Sequence, residues 1–190
     1  MKMIYMLLWG MTASLFSIVI NGQTTFGVKG GVNIATLPES YKPRVSVHGG
    51  IFANRSLNKY FSIQPEIYFS GEGQRAYYNS AEHVWALDYI EVPLMIQVYP
   101  LPVLFLEAGP QVGFLVNAKE KLGTSTPKNV KENIANVQFS IATGLGVKLC
   151  DPIILYARYN FGFTDLTAYD VIEHPGNVGQ IGLAIRLKTL

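Results

Sequence analysis

Segments in which apolar and polar residues alternate with a period of two constrain this chain most. This period is typical of β-strands, because successive side chains point to opposite faces. Many of the segments exceed the roughly 5–6 residues of an ordinary strand and match the ~9–11 residues of a tilted strand that crosses a bilayer. We therefore predict an all-β protein with eight long strands, at residues 26–34, 44–54, 61–74, 87–99, 103–117, 136–149, 153–164 and 178–188.

The two faces of these segments differ in character. In FSIQPEIYFSGEGQ, residues 61–74, one face carries large apolar side chains and the other carries Ser, Gln, Glu and Tyr. VQFSIATGLGVKL (137–149) and ILYARYNFGF (154–163) repeat the contrast, with small residues on the second face. Lipid outside and a narrow wet lumen inside select such faces. The pattern predicts an eight-stranded antiparallel up-and-down transmembrane β-barrel.

Two alternatives to this architecture are a soluble barrel and a barrel of ten strands. A soluble barrel of the lipocalin type has the inverse pattern, with apolar residues inside and charged residues outside. Charged residues make up 15% of the chain, whereas roughly 25% is usual for soluble domains. The connectors alternate between short ones (55–60, 100–102, 150–152) and long ones (35–43, 75–86, 118–135, 165–177). This asymmetry of tight turns and long loops is typical of outer-membrane barrels.

The first residues predict export. An early Lys2 precedes an apolar run from Ile4 to Ile20, so residues 1–22 are predicted to be a signal peptide, and an uncleaved anchor is the alternative. The barrel domain then covers residues 23–190. Cys150 is the only cysteine, which excludes an internal disulfide. The net charge of +2 without a basic block does not indicate nucleic acid. We expect a monomer without metal or cofactor.

The stretch LDYIEVPLMIQVYP, residues 87–100, places a carboxylate in a strand. Its aliphatic face must meet lipid, because a charge at mid-bilayer costs roughly 2–4 kcal/mol. Glu91 therefore points inward, and the same rule turns Glu66 and Glu107 inward. We also expect β-bulges where a proline interrupts a strand, since proline lacks the ladder donor. These positions are Pro65, Pro93 and Pro110.

Inward basic residues are predicted on the opposite wall of the barrel. An eight-stranded lumen is only about wide enough for side chains to fill it, so acids and bases should meet there, and the arginine fork suits paired carboxylates. Such a network would close a pore rather than form one. The predicted lumenal charge network consists of Glu66, Glu91, Glu107, Arg158, Arg186 and Lys29, with polar support from Gln64, Asn160 and Gln111.

The stretches FSIQPEIYFSGEG, LDYIEVPLMIQVYP, LEAGPQVGFL, ARYNFGFTDL and GQIGLAIRL span the predicted domain in order. At these residues the chain resembles the PorT-like outer-membrane β-barrel family of bacteria, which are small porin-like barrels. The resemblance implies residence in the outer membrane of a Gram-negative bacterium, contact with its lipid bilayer and insertion by the barrel-assembly machinery. Members of this family often have no assigned role, and the founding member is tied to a protein-secretion apparatus, so an accessory role in secretion is one expectation. The resemblance supplies no catalytic residues.

Three functions are compatible with these features. The first is a non-enzymatic barrel with a plugged lumen, whose external loops at 117–136 and 165–177 meet a protein partner. The second is a narrow channel for small solutes. The third is a lipid-modifying enzyme, which needs a nucleophile and a base within hydrogen-bond reach. His48 is predicted to point inward beside Ser46 and Asn54 and to act as a lumenal hydrogen-bonding group. We expect the first function and no catalysis.

Overall fold

The strands of the barrel are defined by a computed structural model, which describes residues 23–36, 44–78, 81–123, 125–164 and 177–189. The predicted signal peptide and residues 165–176 of the second predicted loop lie outside these ranges. The strands are β1 (Thr24–Thr36), β2 (Val45–Ser56), β3 (Phe61–Tyr78), β4 (Ala81–Leu101), β5 (Leu104–Leu122), β6 (Lys128–Asn129), β7 (Val137–Cys150), β8 (Ile153–Gly162) and β9 (Asn177–Thr189).

Eight of the strands that the structure describes close into a ring. Each long strand pairs antiparallel with its neighbour along the chain, β9 pairs with β1, and β5 pairs directly with β7. The two-residue strand β6 pairs only with the end of β5 and takes no part in the wall. Within the ring of eight strands, closure leaves no open edge, as lipid requires. The eight-stranded prediction is confirmed, and the ten-stranded alternative is wrong.

The outer surface of the barrel is apolar. Side chains such as Phe139, Leu145 and Ile181 are 56%, 46% and 46% exposed, whereas the inward-facing Glu66 is 4% exposed and Glu91 is fully buried. Charged side chains inside and hydrocarbon outside reverse the order of a soluble barrel, which excludes that alternative. In the described ranges, no helix has the length and apolar character needed to cross a bilayer.

Three adjacent strands continue well beyond the others. β3, β4 and β5 have 18, 21 and 19 residues, whereas β8 has 10. The predicted long loop at 75–86 is wrong, because Arg75 pairs with Val84 and Tyr78 with Ala81. Beyond the lipid no apolar face is required, so the alternation ends while the backbone pairing continues. We call residues 71–78, 81–88, 117–122 and 128–129 the β3–β5 extension.

The prolines do not produce the bulges that we expected. Pro65 pairs with Leu94 and Pro93 with Gln111, and the register on either side of each interrupted ladder is the same. Each proline therefore leaves out a hydrogen bond without adding a residue. The register shifts lie instead near strand ends and at the rim, at Phe26/Gly27, Asp88/Tyr89, Val98/Leu101 and Lys148/Cys150.

Candidate functional site in the lumen

Arg158 on β8 is the centre of a buried ionic cluster. Its Nη1 and Nη2 donate to Oε2 and Oε1 of Glu66 at 3.0 and 2.8 Å. Its Nε and Nη2 donate to Oε1 of Glu107 at 2.9 and 2.8 Å. One guanidinium thus holds carboxylates from β3 and β5 across the lumen, a geometry that its planar fork favours. Gly144 on the neighbouring strand lets the backbone of β8 approach closely, since a Cβ there would lie 2.5 Å from Ala157 O and 3.1 Å from the Arg158 Cα.

Lys29 completes the charge balance of this cluster. Its Nζ donates to Glu66 Oε2 at 2.8 Å, and the amine lies 4.5 Å from the ring centroid of Tyr156. Gln64 donates to the other Glu66 oxygen at 2.8 Å. We call Lys29, Glu66, Glu107 and Arg158 the central cluster. Its two acids and two bases have almost no contact with solvent, so the lumen is closed at this level.

The structure does not bring Glu91 or Arg186 into this cluster. Pro93 occupies the inward position at the level of Glu66, and Glu91 lies further along the barrel axis, where it pairs with Tyr68. Arg186 lies at the mouth beside the short turns, where its Nη2 donates to Asp151 Oδ1 at 2.6 Å. Glu91 and Arg186 were both predicted to belong to the same lumenal charge network as Arg158. The inward orientation of Glu91 is as expected, but its height along the barrel axis is not.

The other predicted supporting residues lie away from the central cluster. Gln111 accepts a hydrogen bond of 2.8 Å from the Tyr68 hydroxyl. Asn160 is 2% exposed, and among the described residues neither of its side-chain polar atoms has a hydrogen-bond partner. Its expected support of the charges is therefore wrong. Asn160 faces the lumen one inward position beyond Arg158, out of line with the carboxylates that Arg158 binds.

A second polar group occupies the half of the lumen nearer the long loops. Gln138 Nε2 donates to Glu91 Oε1 at 2.6 Å and lies 3.4 Å from Glu72 Oε2. Ser70 donates to Glu72 Oε1 at 2.9 Å, and Asn33 donates to Ser70. The alternation placed Glu72 and Gln138 inward, but nothing in the sequence indicated that they meet. We call Glu72, Glu91 and Gln138 the outer cluster.

An apolar cluster lies beyond the outer cluster, at the base of the β3–β5 extension. Inward-facing Leu87, Tyr89, Leu115 and Ala118 pack with Ile134, which follows a short 3₁₀ helix, Lys131–Asn133. Ile134 is 8% exposed. The segment between β5 and β7 thus folds back against the inward faces of β4 and β5.

The opposite end of the lumen holds an open cavity of about 180 Å³. The central cluster forms its floor, and Lys59, Lys148 and Arg186 line it together with Tyr99 and Phe105. The Lys148 amine lies 4.7 Å from the Tyr99 ring centroid. The cavity ends at the central cluster, so it is a vestibule rather than one mouth of a continuous pore.

His48 points into the lumen, as predicted. Its Nδ1 lies 2.7 Å from Asn33 Oδ1 and its Nε2 lies 2.5 Å from the Tyr156 hydroxyl. Both ring nitrogens are therefore engaged with neutral partners inside the barrel. In the described ranges, no group of three or more His, Cys, Asp or Glu side chains could hold a metal ion.

A family of outer-membrane proteins shares this architecture. The family model for the outer membrane protein beta-barrel domain matches residues 21–168. The chain belongs to this family. The barrel accordingly resides in the outer membrane, with its apolar surface in the lipid. The family match ends before β9, which is the strand that closes the barrel against β1.

The chain is similar to solved outer-membrane barrels. Neisserial surface protein A is 11% identical with a TM-score of 0.52, and the match covers 87% of this chain and 96% of that one. OprG from Pseudomonas aeruginosa is 9% identical with a TM-score of 0.49 over 87% and 96% of the two chains. Ail from Yersinia pestis is 11% identical with a TM-score of 0.48 over 88% and 100%. No curated protein matches the chain in sequence.

Proposed function

We propose that this barrel is a sealed, non-enzymatic scaffold that presents the β3–β5 extension to a macromolecular partner outside the cell. The observation that carries the proposal is strand length. A tilted strand needs ~9–11 residues to cross the bilayer, and β4 has 21. In outer-membrane barrels the short turns lie in the periplasm and the longer connections outside, so the extension projects from the cell surface.

The extension is built as a firm surface. Strand β6 adds to its edge by pairing Lys119 with Asn129, and the apolar cluster that contains Ile134 braces its base. Loops and edges held on a rigid scaffold commonly carry binding. Its edge presents the exposed side chains of Lys119, Lys121 and Lys128. A partner that docks here would meet a preformed sheet. The extension itself would then lose little conformational entropy on binding.

The resemblance to PorT-like barrels supports a partner that belongs to a protein-secretion apparatus. The role of the chain would then be accessory, as an anchor or docking point for another component. A catalytic role receives no comparable support, because the ring nitrogens of His48, the histidine considered as a base, face Asn33 and Tyr156.

Site-specific photo-crosslinking tests the docking surface. We expect a photoreactive residue at Lys121 or Lys128, both exposed on the extension, to give a discrete protein adduct in whole cells. A matched control is Lys59, which is exposed in the short turn between β2 and β3 and should not give that adduct. The proposal fails if the extension positions yield no adduct, or only the adduct that Lys59 gives.

Planar-bilayer recordings test the sealed lumen. We expect purified barrel to insert without discrete conductance steps, because the central cluster fills the lumen from wall to wall and burial of its ion pairs leaves no hydrated path. A large open porin, recorded in the same bilayers, shows that insertion and detection work. Discrete steps that disappear when the sample is heat-denatured before addition would establish the narrow channel instead.

A further inference from the structure

The lumen contains two pairs of buried carboxylates that differ in charge compensation. In the central cluster, Glu66 and Glu107 are bound by Arg158 and Lys29, so the charges cancel. In the outer cluster, Glu72 and Glu91 are 5% and 0% exposed, and among the side chains that the structure describes no basic group forms an ion pair with either carboxylate. Burying an uncompensated carboxylate costs several kcal/mol. The outer pair therefore lacks the charge compensation of the central pair, a need that a bound cation would meet.

The contacts of the outer pair do not meet this need. Ser70 and Gln138 donate neutral hydrogen bonds to the two carboxylates, and Glu91 Oε2 has no hydrogen-bond partner among the described residues. The lumenal bases are engaged elsewhere, since Lys29 binds Glu66 and Arg158 binds both acids of the central cluster. Arg44 lies beside Glu72 but donates to its main-chain carbonyl rather than forming an ion pair with its carboxylate. An unpartnered carboxylate oxygen is thus left inside the barrel.

Further unpartnered oxygen atoms face the same part of the lumen. Ser140 lies two residues from Gln138 on the same face of β7, and its hydroxyl has no partner in the described part of the chain. The side-chain oxygens of Asn160 and Gln180, on β8 and β9, are likewise unpartnered there, and these two residues are 2% and 3% exposed. With the Tyr89 hydroxyl, five side-chain oxygens inside the barrel have no partner among the described residues. Buried polar groups are normally satisfied, so these oxygens are available to bound water or to a bound ion.

Gly113 provides the space for the contact between Glu91 and Gln138. It pairs with Glu91 on β4 and with Gln138 on β7. A Cβ at this position would lie 2.4 Å from Glu91 Oε1 and 2.7 Å from Gln138 Cγ. The missing side chain therefore provides the space in which the carboxylate and the amide meet. Any larger residue would push Glu91 out of its present position.

We propose that the outer half of the lumen binds one divalent cation of the Ca²⁺ class between the carboxylates of Glu72 and Glu91. Two carboxylates balance two positive charges, and the surrounding free groups offer oxygen, which hard cations prefer. Amide oxygens from Asn160 and Gln180, the Ser140 hydroxyl and water complete the coordination. The site has only two carboxylates. It therefore agrees with the finding that no group of three or more His, Cys, Asp or Glu side chains in the described ranges could hold a metal ion.

Unfolding measurements with and without calcium test this site. The full chain is refolded into a zwitterionic detergent free of lipopolysaccharide, either with CaCl₂ or with a chelator, so that the ion can reach the buried Glu72 and Glu91 during folding. We expect CaCl₂ to raise the thermal unfolding midpoint of the parent protein. Glu91→Gln should weaken the apparent affinity by at least about tenfold, because ligand charge sets affinity in such sites. Without calcium, this variant should be no less stable than the parent.

Glu132→Gln is the matched control, because Glu132 is an exposed carboxylate in the 3₁₀ segment. It should keep the calcium response of the parent. As a second readout, Tb³⁺ bound at the site should emit on excitation of the buried Tyr89, and Ca²⁺ should displace it. The proposal is overturned if calcium leaves the parent midpoint unchanged, or if Glu91→Gln retains the calcium response or the Tb³⁺ emission.

Discussion

Arg158→Met should lower the free energy of unfolding by about 3–5 kcal/mol, the cost of breaking a buried ion pair by removing one partner. The guanidinium makes four hydrogen bonds to two carboxylates. After its removal, Glu66 keeps its contacts with Lys29 and Gln64, and Glu107 keeps only the 3.0 Å hydrogen bond from Gln97. The loss is measured by urea unfolding in lipid vesicles, followed by the mobility of unheated samples on a gel.

Arg186→Met is the control for this result. Arg186 has the same side chain and also pairs with an acid, but its partner Asp151 is 90% exposed. Exposed ion pairs contribute less than about 1 kcal/mol, so the control should unfold near the urea concentration of the parent. Equal losses in the two variants would mean that the central cluster is hydrated and does not seal the lumen.

Leu183→Arg should destabilise the barrel by roughly 2–4 kcal/mol, the cost of an arginine on the lipid face at the bilayer midplane. Leu183 lies on the outer face, 47% exposed, and pairs with Gly30 at the middle of β1. At this depth the guanidinium can reach neither headgroups nor water without distorting the bilayer. Urea unfolding in vesicles gives the free-energy difference.

Leu187→Arg provides the comparison of depth on the same strand and face. Leu187 is 65% exposed and lies four residues nearer the short turns, at the level of the interface. Its substitution should cost only about 0–1 kcal/mol. If the two arginines cost the same, or if Leu183→Arg costs nothing, the surface around Leu183 does not contact hydrocarbon.

The orientation of side chains was predictable from the sequence because the pleat allows only two choices. A shift by one residue moves a whole strand face from lipid to lumen, and only one choice keeps Glu66, Glu107 and Arg158 out of lipid. These three residues and Lys29 meet in the structure as the alternation suggested. The same rule places Glu91 inside but says nothing about its depth.

Depth along the barrel axis depends on the stagger between paired strands, which the alternation does not record. Glu91 pairs with Tyr68 rather than with Glu66, and this offset separates it from Arg158. The position of Arg186 at a mouth has the same cause. Its strand continues past the inward Ala184 to the end of the lumen, where the Asp151 carboxylate is within reach.

The β3–β5 extension was missed because the signal for strands was apolar alternation. Residues 75–86 read RAYYNSAEHVWA, and outside the lipid neither face of a hairpin has to be apolar. Pairing there is held by backbone hydrogen bonds and by contacts such as the 2.8 Å hydrogen bond from Asn117 to Asp88. Such contacts join distant parts of the chain and leave no periodic pattern.

Nuclear Overhauser contacts between side-chain methyl groups and lipid acyl chains test the central claim most directly. In nanodiscs with methyl-labelled barrel, the methyls of the outward-facing Ile141, Ile181 and Leu183 should show contacts to acyl-chain protons. The methyls of Ile154 and Ile134, each 8% exposed, should show none. Contacts of the outward methyls to water instead, or of the inward methyls to lipid, would contradict a barrel with an apolar exterior and a sealed polar lumen.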